Sequence, residues 1–264
     1  MKEIFTMWKY PKMIILTVVS AALYAMCLIP FRGLQLIPGV AEIRPAAVLP
    51  PLLGILFGPA GAWGCGVGNY FGDLFSNTLT EASYFGAVGN FCFAMIANIA
   101  WGKNSKENNE QDFSLANGGD WQRYIVACVL SCASVAFIIA WGVEFLKLHP
   151  FSGHGSAILI NNLAATLIFG PFLFKLFYSR SKAWNLLWRN VMSAEDRSEG
   201  LSPEWSYRLL WLGSVGGLII GLFLSHVLYH SPFLDTLSTG TNDPTVVWGA
   251  LPFLIIFLLG LLLA

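Results

Sequence analysis

Asn69, Asp73, Ser76 and Asn77 recur along an otherwise apolar, glycine-rich stretch from Phe57 to Asn77. At 100° per residue they fall on one side of a helix. Amides and a carboxylate are costly in apolar surroundings, so they must meet other protein groups or line a cavity. Asp73 alone is open to three uses: carrying a proton or ion, contacting a ligand, or hydrogen-bonding a neighbouring helix. Further amides lie inside apolar runs at Asn90 and at Asn161-Asn162, and charges stand at the ends of such runs at Arg44 and Glu144. Trp141 and Tyr84 add faces on which a flat ring can stack. Together these groups suit recognition of a small polar or flat solute.

Catalytic readings have less behind them. A serine nucleophile at Ser156, in Ser152-Gly153-His154-Gly155-Ser156, needs a base in reach and an oxyanion site, and the glycines more simply make a turn. His226 and His230 have metal-ligand spacing with Asp235 nearby, but neither HExxH nor a third helical ligand accompanies them. Cys27, Cys65, Cys92, Cys128 and Cys132 all fall in apolar runs, where a thiol is a small buried hydrophobe, so no zinc site or disulfide framework is expected. No G-x-x-x-x-G-K-[ST] loop occurs, so any ATP hydrolysis must come from another chain. No catalytic residue, cofactor or metal is assigned. An intramembrane hydrolase and a ligand-free scaffold stay open as alternatives.

The elements that must hold these groups are membrane helices. Of 264 residues 56% are hydrophobic and 11% charged, with a mean hydropathy of +0.63, too few charges to cover a water-soluble fold of this size. Zero net charge predicts no nucleic-acid partner. About eight spans are expected: Met13–Pro30, Pro45–Phe57, Phe57–Asn77, Ser83–Trp101, Trp121–Val143, Gly155–Tyr178, a seventh ending near Tyr229, and Val246–Ala264. The second is short for a span. Gly102 to Asp120 is hydrophilic, and Ser179 to Ser206 carries Trp184, Leu187, Trp188 and Val191 at the spacing of an amphipathic surface helix. The fold class is therefore all-α, a polytopic membrane helix bundle. Residues 1–178 form a six-helix core, 179–207 a cytoplasmic linker and 208–264 a transmembrane hairpin. With the N-terminus in the cytoplasm, twelve Lys and Arg lie inside and three, Arg32, Arg44 and Lys147, outside.

That topology sets depth. Asn90, Asn161 and Asn162 each lie about seven residues, roughly 10 Å, below the outer start of their spans, and Asp73 approaches the same zone from below. Arg44, Tyr84, Trp141 and Glu144 ring the mouth above them. Gly64, Gly68 and Gly72 form a smooth stripe beside the polar one, fit for close helix contact, and Ala21 with Ala25 makes a small-residue face on the first helix.

Arg44-Pro45, FGPAGAWGCGVGN with Gly72-Asp73, and Ala21-x-x-x-Ala25 together resemble the substrate-binding S components of energy-coupling factor transporters, over about residues 10 to 178. The resemblance implies a six-helix core with the solute held near the outer surface. By position it assigns Ala21 and Ala25 to docking on a transmembrane coupling protein. It also puts Arg44, Tyr84, Asn90, Glu144, Asn161 and Asn162 around the ligand. It implies two separate ATPase subunits as the energy source, and closure of the Phe31 to Arg44 loop over the bound solute. Two spans after Tyr178 exceed the family's usual six. The family's metal-ion branch carries a histidine at the extreme N-terminus, where this chain reads Met1-Lys2-Glu3, so a vitamin-like or other small organic solute is expected instead.

Overall fold

Pro11 opens the first long helix, α1 (Pro11–Leu28), at a position where the missing N–H costs nothing. The computed structural model describes residues 1–31, 35–37, 41–42, 44–103, 115, 117–197, 202–229 and 244–264. After α1 a two-stranded antiparallel ribbon pairs β1 (Gln35–Ile37) with β2 (Ala41–Glu42). Much of the loop expected to close over a solute lies outside the described residues. A 3₁₀ turn at Pro45–Val48 leads into α2 (Leu49–Phe57), all of whose residues are buried. A nine-residue helix rises only about 14 Å, and burial among other helices is what satisfies so short an element in a membrane.

Gly58, at φ 55° and ψ −126°, turns the chain from α2 into α3 (Pro59–Phe75). Glycine is required there twice over. The dihedral is in the left-handed half of the map, and a Cβ would lie 2.6 Å from the Trp188 ring. α3 then lies along α1 through its glycine stripe. A Cβ on Gly64 would stand 2.3 Å from Ser20 Cβ, and one on Gly68 2.6 Å from the Ala21 carbonyl oxygen, so the two backbones meet at a distance no larger side chain permits.

α4 (Ala82–Lys103) and α5 (Gly118–Phe145) continue the bundle. The expected sixth span is not one straight helix. It divides into α6 (Phe151–Ile168) and α7 (Gly170–Ala183), bent by 54° at Phe169. Pro171, in the first turn of α7, supplies no N–H to the turn before it, which is where a helix breaks. The expected amphipathic helix is also interrupted. α7 ends at Ala183, Asn185 takes φ 53°, and helix resumes only in short pieces, Trp188–Val191 and a 3₁₀ turn at Ala194–Asp196. Trp188 turns inward under Gly58, and the Arg189 guanidinium stands 5.4 Å from its ring centroid.

This linker is clasped to the N-terminus. Tyr10 Oη donates to Asp196 Oδ2 (2.8 Å), Lys9 Nζ approaches Oδ1 (3.1 Å), and Lys2 Nζ donates to the Glu195 carbonyl (2.7 Å). The Tyr10 hydrogen bond first, and the Lys9 ammonium after it, hold the Asp196 carboxyl below the usual carboxylate range.

The chain closes with α8 (Pro203–Trp211), a π-helical turn at Leu212–Gly216, α9 (Gly217–Tyr229) and α10 (Thr245–Leu263). This hairpin shares a core with α5 and α6 through Phe137, Phe151, Leu218, Val246 and Ala250. Polar ties reinforce it. Ser225 Oγ accepts the Ser152 N–H and donates to Ser152 Oγ, each at 3.0 Å, and Trp141 Nε1 donates to the Val247 carbonyl at 3.1 Å.

Among the described residues, five helices are long and apolar enough to cross a membrane: Pro11–Phe31, Ala82–Gly102, Gly118–Phe145, Glu204–Leu228 and Thr245–Leu263. The bent pair Phe151–Ile168 and Gly170–Val191 makes a sixth if taken together. Of the eight expected spans, Pro45–Phe57 is a shorter helix sheltered within the bundle, and Pro59–Phe75 is a 17-residue helix that buries its glycine and polar side and exposes Val67, Phe71 and Phe75 on the other. Ile15, Val18, Phe172, Ile219, Phe223 and Leu262 stand exposed on the long helices, as lipid contact requires.

Candidate ligand pocket

The polar residues of four helices converge at one end of the bundle. α3 and α4 are joined by a short turn, and so are α5 and α6, which brings the end of each first helix beside the start of the next. A cavity of about 340 Å³ opens between them. Asn69 and Asp73 face it from the last turns of α3, Ser83 and Gly86 from the first turns of α4, and Ile139 and Val143 from the end of α5. Thr78, Thr80, Leu148 and His149 come from the two turns, His154 from the first turn of α6, and Arg44 from the residue before the α2 turn. Its volume suits a small organic molecule.

Local hydrogen bonds fix the turns. Thr78 N and Oγ1 both donate to the Asp73 carbonyl, at 2.9 and 3.3 Å, and Ser83 Oγ accepts the Thr80 N–H at 3.1 Å. The His149 and His154 rings stack with centroids 5.3 Å apart and planes within 5°. The lining set offers cationic donors from Arg44, an acceptor carboxylate from Asp73, and groups of both kinds from Asn69, the hydroxyls and the imidazoles. It can orient a polar ring by its edge.

The floor is a buried ladder of three side chains. Tyr24 Oη donates to Asn90 Oδ1 (2.8 Å), and Asn90 Nδ2 donates to Asn69 Oδ1 (3.1 Å) and to the Gly86 carbonyl (2.8 Å). Asn90 thus supports a lining residue from behind rather than lining the cavity itself.

Of the residues singled out from the sequence, Arg44, Asn69 and Asp73 line this cavity. The others sit elsewhere. Glu144 is buried, and its Oε2 accepts the Phe151 N–H at 2.5 Å, capping the first turn of α6. Trp141 stacks on Phe145 at 5.4 Å and ties α5 to α10. Tyr84 is 60% exposed on the other side of α4, against Tyr70 at 5.7 Å. Asn162 is buried in the α5–α6 seam, its carbonyl accepting Thr166 Oγ1 at 2.7 Å, and Asn161 is half-buried beside it. Ala21 lends its backbone to the glycine seam; Ala21 and Ala25 are each half-buried.

His149, His154, Thr78, Thr80 and Ser83 entered the cavity without having been singled out as ligand residues. One signal was present for His154: it precedes Asn161 by seven residues and so shares its helix face, two turns away. Ser156 donates to the carbonyls of Ser152 (2.6 Å) and Gly153 (3.1 Å) and is 1% exposed, a hydroxyl occupied by its own helix. His226 is exposed, while His230 and Asp235 lie outside the described residues. Among the described residues no group of three His, Cys, Asp or Glu could hold a metal ion.

No curated protein and no solved structure matches the chain. The model of one family, described as QueT transporter, matches residues 14–179, well over half of the chain. That stretch runs from α1 into α7 and contains the glycine seam and every residue that lines the polar cavity. The chain therefore belongs to the QueT transporter family of ECF-type S components, as a multi-pass protein of the cell membrane that carries further helices after the matched core.

Proposed function

We propose that the protein is the substrate-capture subunit of an ECF-type uptake transporter. It takes a small vitamin-like organic solute from outside the cell into the cavity between α3, α4, α5 and α6. The N-terminus lies in the cytoplasm, which puts the cavity end of the bundle at the outer face and agrees with the bias of basic residues. A separate transmembrane coupling protein and two ATPase subunits supply the energy, since the chain has no phosphate-binding loop. Docking uses the first helix around Ala21 and Ala25.

The observation that carries this reading is the meeting of Arg44, Asn69, Asp73 and the stacked His149–His154 pair in one cavity of about 340 Å³. A carboxylate and an amide side by side match a flat heterocycle that presents N–H donors and a carbonyl on one edge, while the imidazoles and Arg44 face its remaining polar groups. A nucleobase-like solute such as a queuosine precursor has this chemistry. Tyr84, Trp141, Glu144, Asn161 and Asn162 act around this site by holding helices, with Asn90 as the support of Asn69.

Native mass spectrometry of the protein purified without added solute tests the capture role. One retained small molecule is expected, and its loss in Asp73→Leu and Asn69→Leu variants that keep the wild-type helical content. Copurification with an ATPase module tests the coupling. A chain that neither binds a solute saturably nor copurifies with such partners is a scaffold, and the proposal fails.

A further inference from the structure

A second cleft, of about 550 Å³, lies between α1 and α7, on a different face from the polar cavity. Its walls along most of its length are apolar, from Leu16, Val19 and Leu23 on α1 to Phe177 on α7. One end is different. There Lys12, in the first turn of α1, and Arg180, in the last turn of α7, stand exposed, with Trp184 beside them. Neither cation has an ion pair or side-chain hydrogen bond among the described residues. Two unneutralised cations at the mouth of an apolar slot call for an occupant with an anionic head and an apolar body.

Dimensions narrow the class. From Lys12 to Leu23 is eleven residues of helix, a rise of about 16 Å. That is close to half of the roughly 30 Å hydrocarbon layer, the depth of one leaflet. Tryptophan at the cationic end marks the headgroup level, where its amphipathic ring is at home. Basic pockets between membrane helices recognise phosphate headgroups.

We propose that the α1–α7 cleft is a binding site for one anionic phospholipid, its phosphate held between Lys12 and Arg180 and an acyl chain laid along Leu16, Val19 and Leu23. The site places a lipid on the helix that also carries Ala21 and Ala25, and it stands independently of which solute fills the polar cavity. No bond is made or broken.

The test uses the full-length chain, purified in detergent, stripped of lipid and titrated with dioleoylphosphatidylglycerol, with adducts counted by native mass spectrometry. One saturable adduct is expected, with dioleoylphosphatidylcholine binding at least tenfold more weakly. Lys12→Gln and Arg180→Gln should each weaken the adduct about fivefold, and the pair about thirtyfold, from roughly one headgroup-level charge apiece. Val19→Trp fills the slot and should abolish the adduct with both cations intact, whereas millimolar inorganic phosphate should not displace it. All these positions are exposed or half-exposed, and helical content by circular dichroism checks that each variant folds. Equal affinity for the two lipids, indifference to the charge substitutions, or displacement by phosphate would each overturn the proposal. So would a photo-crosslinker at Val19 that labels a protein partner in membranes rather than lipid.

Discussion

Replacing Asn90 by leucine removes three hydrogen bonds at once, and the ladder Tyr24–Asn90–Asn69 predicts the size of the loss. Side-chain hydrogen bonds between membrane helices average about 0.6 kcal/mol and reach about 1.7. Three bonds at the mean cost about 2 kcal/mol, and the branched leucine in a fully packed site adds about 1 kcal/mol of overpacking. Asn90→Leu should therefore destabilise the protein by about 3 kcal/mol. Tyr24→Phe removes one bond and should cost about 1 kcal/mol, near the upper half of the range because both partners are at most 5% exposed. In the double variant that bond is already gone, so the cycle should give a coupling energy of about 1 kcal/mol, measured by reversible unfolding in mixed micelles. Solute affinity separates the two further. Asn90→Leu releases the Asn69 carbonyl and should weaken binding about tenfold, while Tyr24→Phe leaves the Asn69–Asn90 bond in place and should change it less than about twofold. Additive stabilities within about 0.3 kcal/mol, or equal binding losses, would refute the ladder as the support of the cavity floor.

Glu144→Ala should cost about 1–2 kcal/mol of stability through the lost cap of α6, with solute affinity within about twofold of wild type in a binding titration. His154→Leu should weaken solute binding at least about tenfold, whereas the same change at exposed His226 should leave it unaltered. Trp141→Phe should loosen the C-terminal hairpin by about 1 kcal/mol, seen as faster hydrogen exchange in α10 without loss of solute. The N-terminal clasp depends on pH in one direction. The Asp196 carboxyl is lowered in the folded protein, so its contribution is present above the unfolded value of about 3.9 and is lost as pH falls through the lower folded value. Exchange of residues 193–197 should be unaffected by clasp opening from pH 8 to 5 and rise sharply below about pH 4, and Asp196→Asn should remove that transition.

Class and order of the elements were legible because they rest on local properties. Long apolar runs have one stable form in a bilayer, and Gly58-Pro59 acts on the backbone beside it, whereas the break before Pro171 inside the sixth run was not legible in the apolar pattern. The Gly64–Gly68 stripe announced a close contact, and the structure supplied its partner in Ser20 and Ala21 of α1. Asn185 hid a break inside a run whose spacing read as one helix, since an asparagine can also sit mid-helix without changing the hydrophobic pattern. Among the polar groups, type was readable and assignment was not. Glu144 and Asp73 are both carboxylates near helix ends, yet one caps a backbone N–H and the other faces a cavity.

Residue order alone makes the chain a membrane helix bundle, marks its long apolar helices, and requires that Asp73 and Asn69 be enclosed by protein. Hydrocarbon thickness, helix period and the cost of unpaired polar groups dictate this much, because they act on each segment separately. It took packing between helices to bring Arg44, Asp73, Asn69 and the two histidines into one cavity, to stand Asn90 behind it and to turn Glu144 onto the start of α6. A shared cavity depends on how far each helix is rotated about its own axis, and that rotation is set by contacts between residues distant in the chain, such as Gly68 against Ala21 and Asn90 against Tyr24.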